Sequence, residues 1–103
     1  MTPYVIEEGN LDAVELLLGS VPEFDIPPTI DDIGFRIKDV PHLILTAHAE
    51  GLPVGFKIGY ERDGRFYPWL GGVDDRFRQL GIASHLADYQ DPWARKKGYK
   101  TIW

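Results

Sequence analysis

The chain has 103 residues, 44% hydrophobic and 26% charged, with a formal net charge of -5 and no cysteine. That length holds one hydrophobic core and one domain, and the composition belongs to a folded globular chain rather than a disordered one. The acidic balance argues against duplex nucleic acid as a partner, and the lack of cysteine excludes disulfides, thiol nucleophiles and cysteine-based zinc sites.

The N-terminus, "MTPYVIEEGN", lacks the basic start and long apolar run of a secretory signal, and no apolar run is long enough to cross a bilayer. The expectation is a soluble cytoplasmic protein with no membrane and no nucleic-acid partner. A short strand comes first. Leu11, Val14, Leu17 and Leu18 then recur at helical spacing, with Asn10 as N-cap and Gly19 as the stop. After a segment rich in proline and acid, Thr29 caps a second short helix whose apolar positions are Ile30, Ile33 and Ile37.

From His42 the pattern changes to strands: "HLILTAHA", a turn at "EGLP", and "VGFKIGYE", where Val54, Phe56, Ile58 and Tyr60 alternate and share one face. Asp63-Gly64 is a two-residue hairpin signal, since both central positions of a type I′ turn need positive φ. Counting outward sets Arg62 opposite Arg65, Glu61 opposite Phe66, Tyr60 opposite Tyr67 and, without a bulge, Ile58 opposite Trp69. Pro68 implies an edge strand or a bulge within "YPWLGG", because proline deletes a ladder donor.

"GGVDDRFRQLGIASHLADYQ" then joins an apolar run to a helix. Such a junction exposes backbone N-H groups at the positive end of the helix dipole, where anions bind. Five N-H groups, from Gln79 to Ala83, can line a pyrophosphate, with Ser84 adding a hydroxyl and Arg76 and Arg78 adding charge. The nucleotide-triphosphate loop and the dinucleotide fingerprint are both absent. The helix itself carries Ile82, Leu86, Tyr89 and Trp93, ends with Arg95, Lys96, Lys97 and Gly98, and contains Asp91-Pro92, which predicts a kink or a restart. "YKTIW" reads as the start of another strand.

Arg78-x-x-Gly81-x-Ala83 fits the Arg/Gln-x-x-Gly-x-Gly/Ala pattern, and with the order of elements the whole chain resembles the N-terminal portion of the GCN5-related N-acetyltransferases, the GNAT family. The resemblance implies an α/β fold with a mixed, mainly antiparallel sheet flanked by helices. It implies acetyl-CoA as co-substrate, bound where the fourth and fifth strands splay apart, and direct attack on the thioester by an amine acceptor. Matched position by position, the backbone contacts fall on Leu70, Gly71 and Val73. The loop contacts fall on Arg78, Gln79, Leu80, Gly81, Ile82, Ala83 and Ser84.

Some members place a glutamate on the fourth strand, and the matching position here is Tyr67, whose phenol is no ordinary base at neutral pH. Glu61 is the nearest carboxylate, so Glu61 and Tyr67 are the catalytic candidates, although the register sets them on opposite faces. Tyr60, Tyr67 and Trp69 are expected in the core or in the acceptor-pocket wall. The sequence ends at Trp103, where family members continue through further strands. That departure leaves a non-catalytic acyl-CoA-binding or assembly module as the alternative, and an apolar sheet edge that predicts a homodimer, formed by pairing of edges or by exchange of the segments beyond Asp91-Pro92. Asp74-Asp75 puts acid beside the expected pyrophosphate. Glu23, Asp25, Asp31 and Asp32 lie where the family shapes its acceptor pocket and can attract a cationic amine. His42, His48 and His85 have no metal-ligand spacing and read as structural or surface residues.

Overall fold

The computed structural model describes residues 3–21 and 28–102. Its strands are β1 (Val5–Glu8), β2 (His42–Ala49), β3 (Leu52–Arg62) and β4 (Arg65–Val73), and its helices are α1 (Leu11–Leu17), α2 (Ile30–Ile37) and α3 (Ile82–Lys96). The sheet runs in the order β1-β2-β3-β4 with every neighbouring pair antiparallel. A single parallel bridge, Phe66 with Ile102, starts a fifth position outside β4 and makes the sheet mixed.

The first two helices begin where a side chain satisfies an otherwise unpaired N-H. Asn10 Oδ1 accepts from Ala13 N-H at 3.0 Å, and Thr29 Oγ1 accepts from Asp32 N-H at 3.1 Å. Gly19 does not stop α1 in a left-handed conformation. The chain instead tightens into a 3-10 turn over Leu18–Ser20 that contains it.

Helices cover both faces of the sheet, so the central strands are buried on both sides. On one face Val14, Leu17, Ile33 and Ile37 of α1 and α2 pack on Ile44, Phe56, Ile58 and Tyr60. On the other, Ile82, Leu86 and Ala94 of α3 pack on Leu43, Leu45, Ala47 and Phe66. Phe56 and Phe66 are fully buried from opposite sides of the sheet, and each contributes about 1.5–3 kcal/mol.

Val54 departs from the expected face. Ala47 pairs with Gly55 and His48 with Pro53, which leaves Val54 unpaired in a bulge and turns its side chain into the α3 core, away from Phe56, Ile58 and Tyr60. The buried stripe of α3 is Ile82, Leu86, Gln90 and Ala94, rather than one running through the half-exposed Tyr89 and Trp93. Pro92 lies inside this helix, which neither breaks nor restarts at Asp91. Gly98, at φ 103°, ends it. No helix among the described residues is long and apolar enough to cross a membrane.

Candidate functional site

The hairpin forms as expected, with Asp63 at φ 53° and Gly64 at φ 75°. Arg62, Glu61 and Tyr60 pair with Arg65, Phe66 and Tyr67. Beyond Gly59 and Pro68 the register shifts: Ile58 pairs with Leu70, so Trp69 is the extra residue of a bulge. Ile58 is therefore not opposite Trp69. Pro68 sits on the edge strand next to the bulge, where its missing donor costs the ladder least.

The bulge decides what the open edge of β4 offers. The Asp74 N-H points inward and bonds Val54 O at 2.8 Å, so the carbonyl of the same peptide, Val73 O, points outward. Alternation then directs the N-H and C=O of both Val73 and Gly71 away from β3, to an edge whose bridge among the described residues is the one at Phe66. It also sets Gly71, not Leu70, opposite Lys57.

After Val73 the chain turns at Asp74, forms a 3-10 turn over Asp75–Leu80, and passes through Gly81 at φ 79° into α3. The left-handed φ is what glycine supplies here. Unlike α1 and α2, α3 has no side-chain cap among the described residues, so the first N-H groups of Ile82, Ala83 and Ser84 stand at the positive helix end.

Two charges behave differently from expectation. Arg76 is not aimed at the helix start, because it forks onto Asp74 through Nε and Nη2 at 3.1 and 3.0 Å. Asp74 is buried and also accepts the Arg76 N-H at 3.0 Å. These hydrogen bonds, the side-chain ones foremost, hold its carboxyl below the usual carboxylate range. Its charge is thereby matched within the turn. Asp75 lies 3.6 Å from Arg78, and Arg78 Nε donates to Val73 O at 3.4 Å.

A cleft of about 480 Å³ follows this edge. It is lined by β4 from Pro68 to Val73, by Phe56 and Lys57 beneath, and by Arg78, Ala83 and Leu86 from the loop and α3. Of the expected contact residues it gathers Leu70, Gly71, Val73, Arg78 and Ala83. Gln79, Leu80, Gly81, Ile82 and Ser84 belong to the same turn and helix start but do not wall the cavity. The Ile82 side chain is buried against Gly55, so only its backbone faces the helix end. Lys57 and Leu86 escaped sequence reasoning. Lys57 enters because the residue opposite it is a glycine, which only the bulged register reveals.

Residues 42–102 match the family model for the acetyltransferase (GNAT) domain, more than half of the chain. The chain belongs to the GNAT acetyltransferase family. Solved structures of the same fold include the ribosomal-protein-S18-alanine N-acetyltransferase from Escherichia coli, 15% identical, covering 98% of this chain and 65% of that one with TM-score 0.83. An acetyltransferase of the GNAT family from Staphylococcus aureus is 18% identical, covering 97% of this chain and 72% of that one, with TM-score 0.80. An aminoglycoside N-acetyltransferase in complex with CoA is 19% identical, covering 96% and 76%, with TM-score 0.71. The chain thus spans slightly under two thirds of the Escherichia coli enzyme. No curated protein sequence matches it.

In this GNAT domain Glu61 and Tyr67 do not form a pair. Glu61 lies on the α3 face, where its Oε1 accepts the Tyr99 hydroxyl at 2.9 Å, so it is an engaged carboxylate rather than a solvated strand end. Burial first, then that bond, pushes the Tyr99 phenol up to about 12. Tyr67 lies on the α1/α2 face, half-buried and edge-on to Tyr60 at 5.5 Å.

His48 is within 2.9 Å of Thr46 Oγ1 and 3.3 Å of Glu7, His42 within 2.9 Å of Val40 O, and His85 within 2.9 Å of the Tyr4 hydroxyl. No metal-holding cluster occurs among the described residues. Asp31 and Asp32 are exposed in the first turn of α2, where they favour the helix dipole. Glu23, Asp25 and Trp103 lie outside the described residues.

Proposed function

We propose that this GNAT domain binds acetyl-CoA along β4 and presents it to an amine acceptor, which attacks the thioester directly in a ternary complex. The observation that carries the reading is continuous: the outward Gly71 and Val73 backbones lead along the cleft to the uncapped start of α3. A pantetheine arm needs amide partners and a pyrophosphate needs a positive helix end, and the two lie in that order. The fit is supported by the neighbour of the same fold solved with CoA.

The backbones of Gly71 and Val73 would bind the arm, while Leu70, whose backbone groups the same alternation turns toward β3, would line its path. Arg78, with the turn from Gln79 through Leu80 and Gly81 to Ile82, Ala83 and Ser84, would bind the pyrophosphate. Acetyl-CoA supplies the activated acyl group; the amine nitrogen bonds its carbonyl carbon as the carbon-sulfur bond breaks. The amine proton leaves to solvent or a base, and the thiolate takes up a proton. Trp69 and Leu70, which the bulge sets side by side on the α1/α2 face, would wall off the acceptor side and exclude water.

A second reading is acyl-CoA binding without transfer. Calorimetric titration with acetyl-CoA tests the first step, with Ala83→Glu in parallel. Ala83 is exposed in the first turn, where a carboxylate stabilises the helix but repels a pyrophosphate. Saturable binding lost in the variant supports the cleft as the acyl-CoA site, and no binding by the parent refutes it. Thiol release with an amine panel then separates transfer from binding alone.

A further inference from the structure

We propose that the acceptor carries an oxyanion, a carboxylate or phosphate, and that Arg36 reads it beside Trp69; the inference rests on the acyl-transfer reading above. Tyr60 meets both Tyr67 and Trp69 edge to face, with ring centroids 5.5 Å apart in each contact. The alternation of β4 sets Tyr67 and Trp69 on the same face as Tyr60, and the bulge adds Leu70, the residue after Trp69, to that face. The Trp69 ring also walls the cleft along β4. It therefore lies between the proposed acyl-donor cleft and α2, the side from which the proposal brings the acceptor.

Two guanidinium groups cover the aromatic surface there. Arg36, in the last turn of α2, lies 5.4 Å over the Trp69 ring and donates from Nη1 to the Tyr60 hydroxyl at 3.3 Å. Arg62 lies 5.3 Å over the Tyr67 ring. An aromatic group without such cover attracts an ammonium ion; with the faces already taken by cations, an approaching cationic acceptor meets like charge. An oxyanion meets the planar fork of an arginine held in place by stacking.

Among the described residues Arg36 makes no salt bridge: Asp32, one turn earlier at the spacing that forms helical ion pairs, does not pair with it. Asp31 and Asp32 lie in the first turn of α2, whereas the charge over Trp69 is that of Arg36 in its last turn.

The test uses the full chain, acetyl-CoA and matched primary amines: β-alanine against β-alaninamide, phosphoethanolamine against ethanolamine, and cadaverine as the dication. Thiol release gives kcat and KM, and saturation-transfer NMR on the CoA-bound protein reads acceptor recognition without turnover. At least one anionic amine should have a KM roughly tenfold below its neutral counterpart, and the pair that shows it identifies carboxylate or phosphate. Arg36→Met should abolish that difference by raising the KM of the anionic amine to that of its neutral counterpart, and Arg36→Lys should restore part of it. Equal KM values within both pairs, a preference for cadaverine, or a preference that survives Arg36→Met would overturn the proposal. If acetyl-CoA binds but no amine turns over, transfer fails separately. Arg36-dependent saturation transfer to an anionic amine then sustains the recognition, and its absence overturns it.

Discussion

Arg76 holds Asp74 at two points, Nε to Oδ1 at 3.1 Å and Nη2 to Oδ2 at 3.0 Å, while the Asp74 carboxylate also caps the turn through the Arg76 N-H. Because the carboxyl lies below its ordinary value of 3.8, its contribution to stability is complete above that pH and is lost as pH falls through the lowered value. Asp74→Ala should lower stability by about 1 kcal/mol near neutral pH, the usual cost of a lost cap. Thermal melts of parent and variant across pH should converge in strong acid. A gap that persists there would show that the charged form is not what stabilises the turn.

Val21 occupies the space beside Gly72 in the wall of the cleft. A Cβ on Gly72 would lie 2.7 Å from Val21 Cγ1 and 2.8 Å from Cγ2, closer than real side chains approach. Gly72→Ala should destabilise by about 1–3 kcal/mol, as overpacking does, and Val21→Ala should recover part of the loss in the double variant. Additive costs in denaturant titrations would rule out the contact as the cause.

Gln90 is buried in the α3 stripe, and its Oε1 has no hydrogen-bond partner among the described residues. A buried acceptor without a donor costs on the order of 1–3 kcal/mol. Gln90→Met keeps the length and removes that oxygen, so it should match or exceed the parent in stability. A large loss in chemical denaturation would mean that the amide is satisfied in solution.

Burial and the hydrogen bond to Glu61 push the Tyr99 phenol up to about 12. A phenol raised above its unfolded value of 10.0 favours folding at pH below that value, and the contribution disappears as pH rises through the folded one. Ultraviolet titration should show Tyr99 ionising late, beside Tyr89, which its bond to Glu8 also raises, and Glu61→Gln should bring the Tyr99 step down by removing the negative charge. Tyr99→Phe should delete that step. If it does not, another phenol is responsible.

The sequence by itself determined the features that local chemistry encodes. Asn10 and Thr29 accept the N-H groups that their positions offer, Asp63-Gly64 adopts the two positive φ values its turn requires, and the register follows outward as far as Pro68. The Arg78-x-x-Gly81-x-Ala83 spacing marked the turn that enters α3. The bulges at Val54 and Trp69 were decided in three dimensions, because an unpaired strand residue is defined by two neighbours distant in sequence. From the second bulge follow the pairing of Lys57 with Gly71 and the placing of Trp69 beside Leu70. Pro92 stays inside a helix that its propensity opposes, and Gln90 rather than Tyr89 turns inward, because packing on the sheet sets the buried side of α3. Arg76 could have faced an anion as far as its spacing showed. Folding brought Asp74 into its reach first, and a two-point charged contact 3.0 Å away outweighs a solvated position.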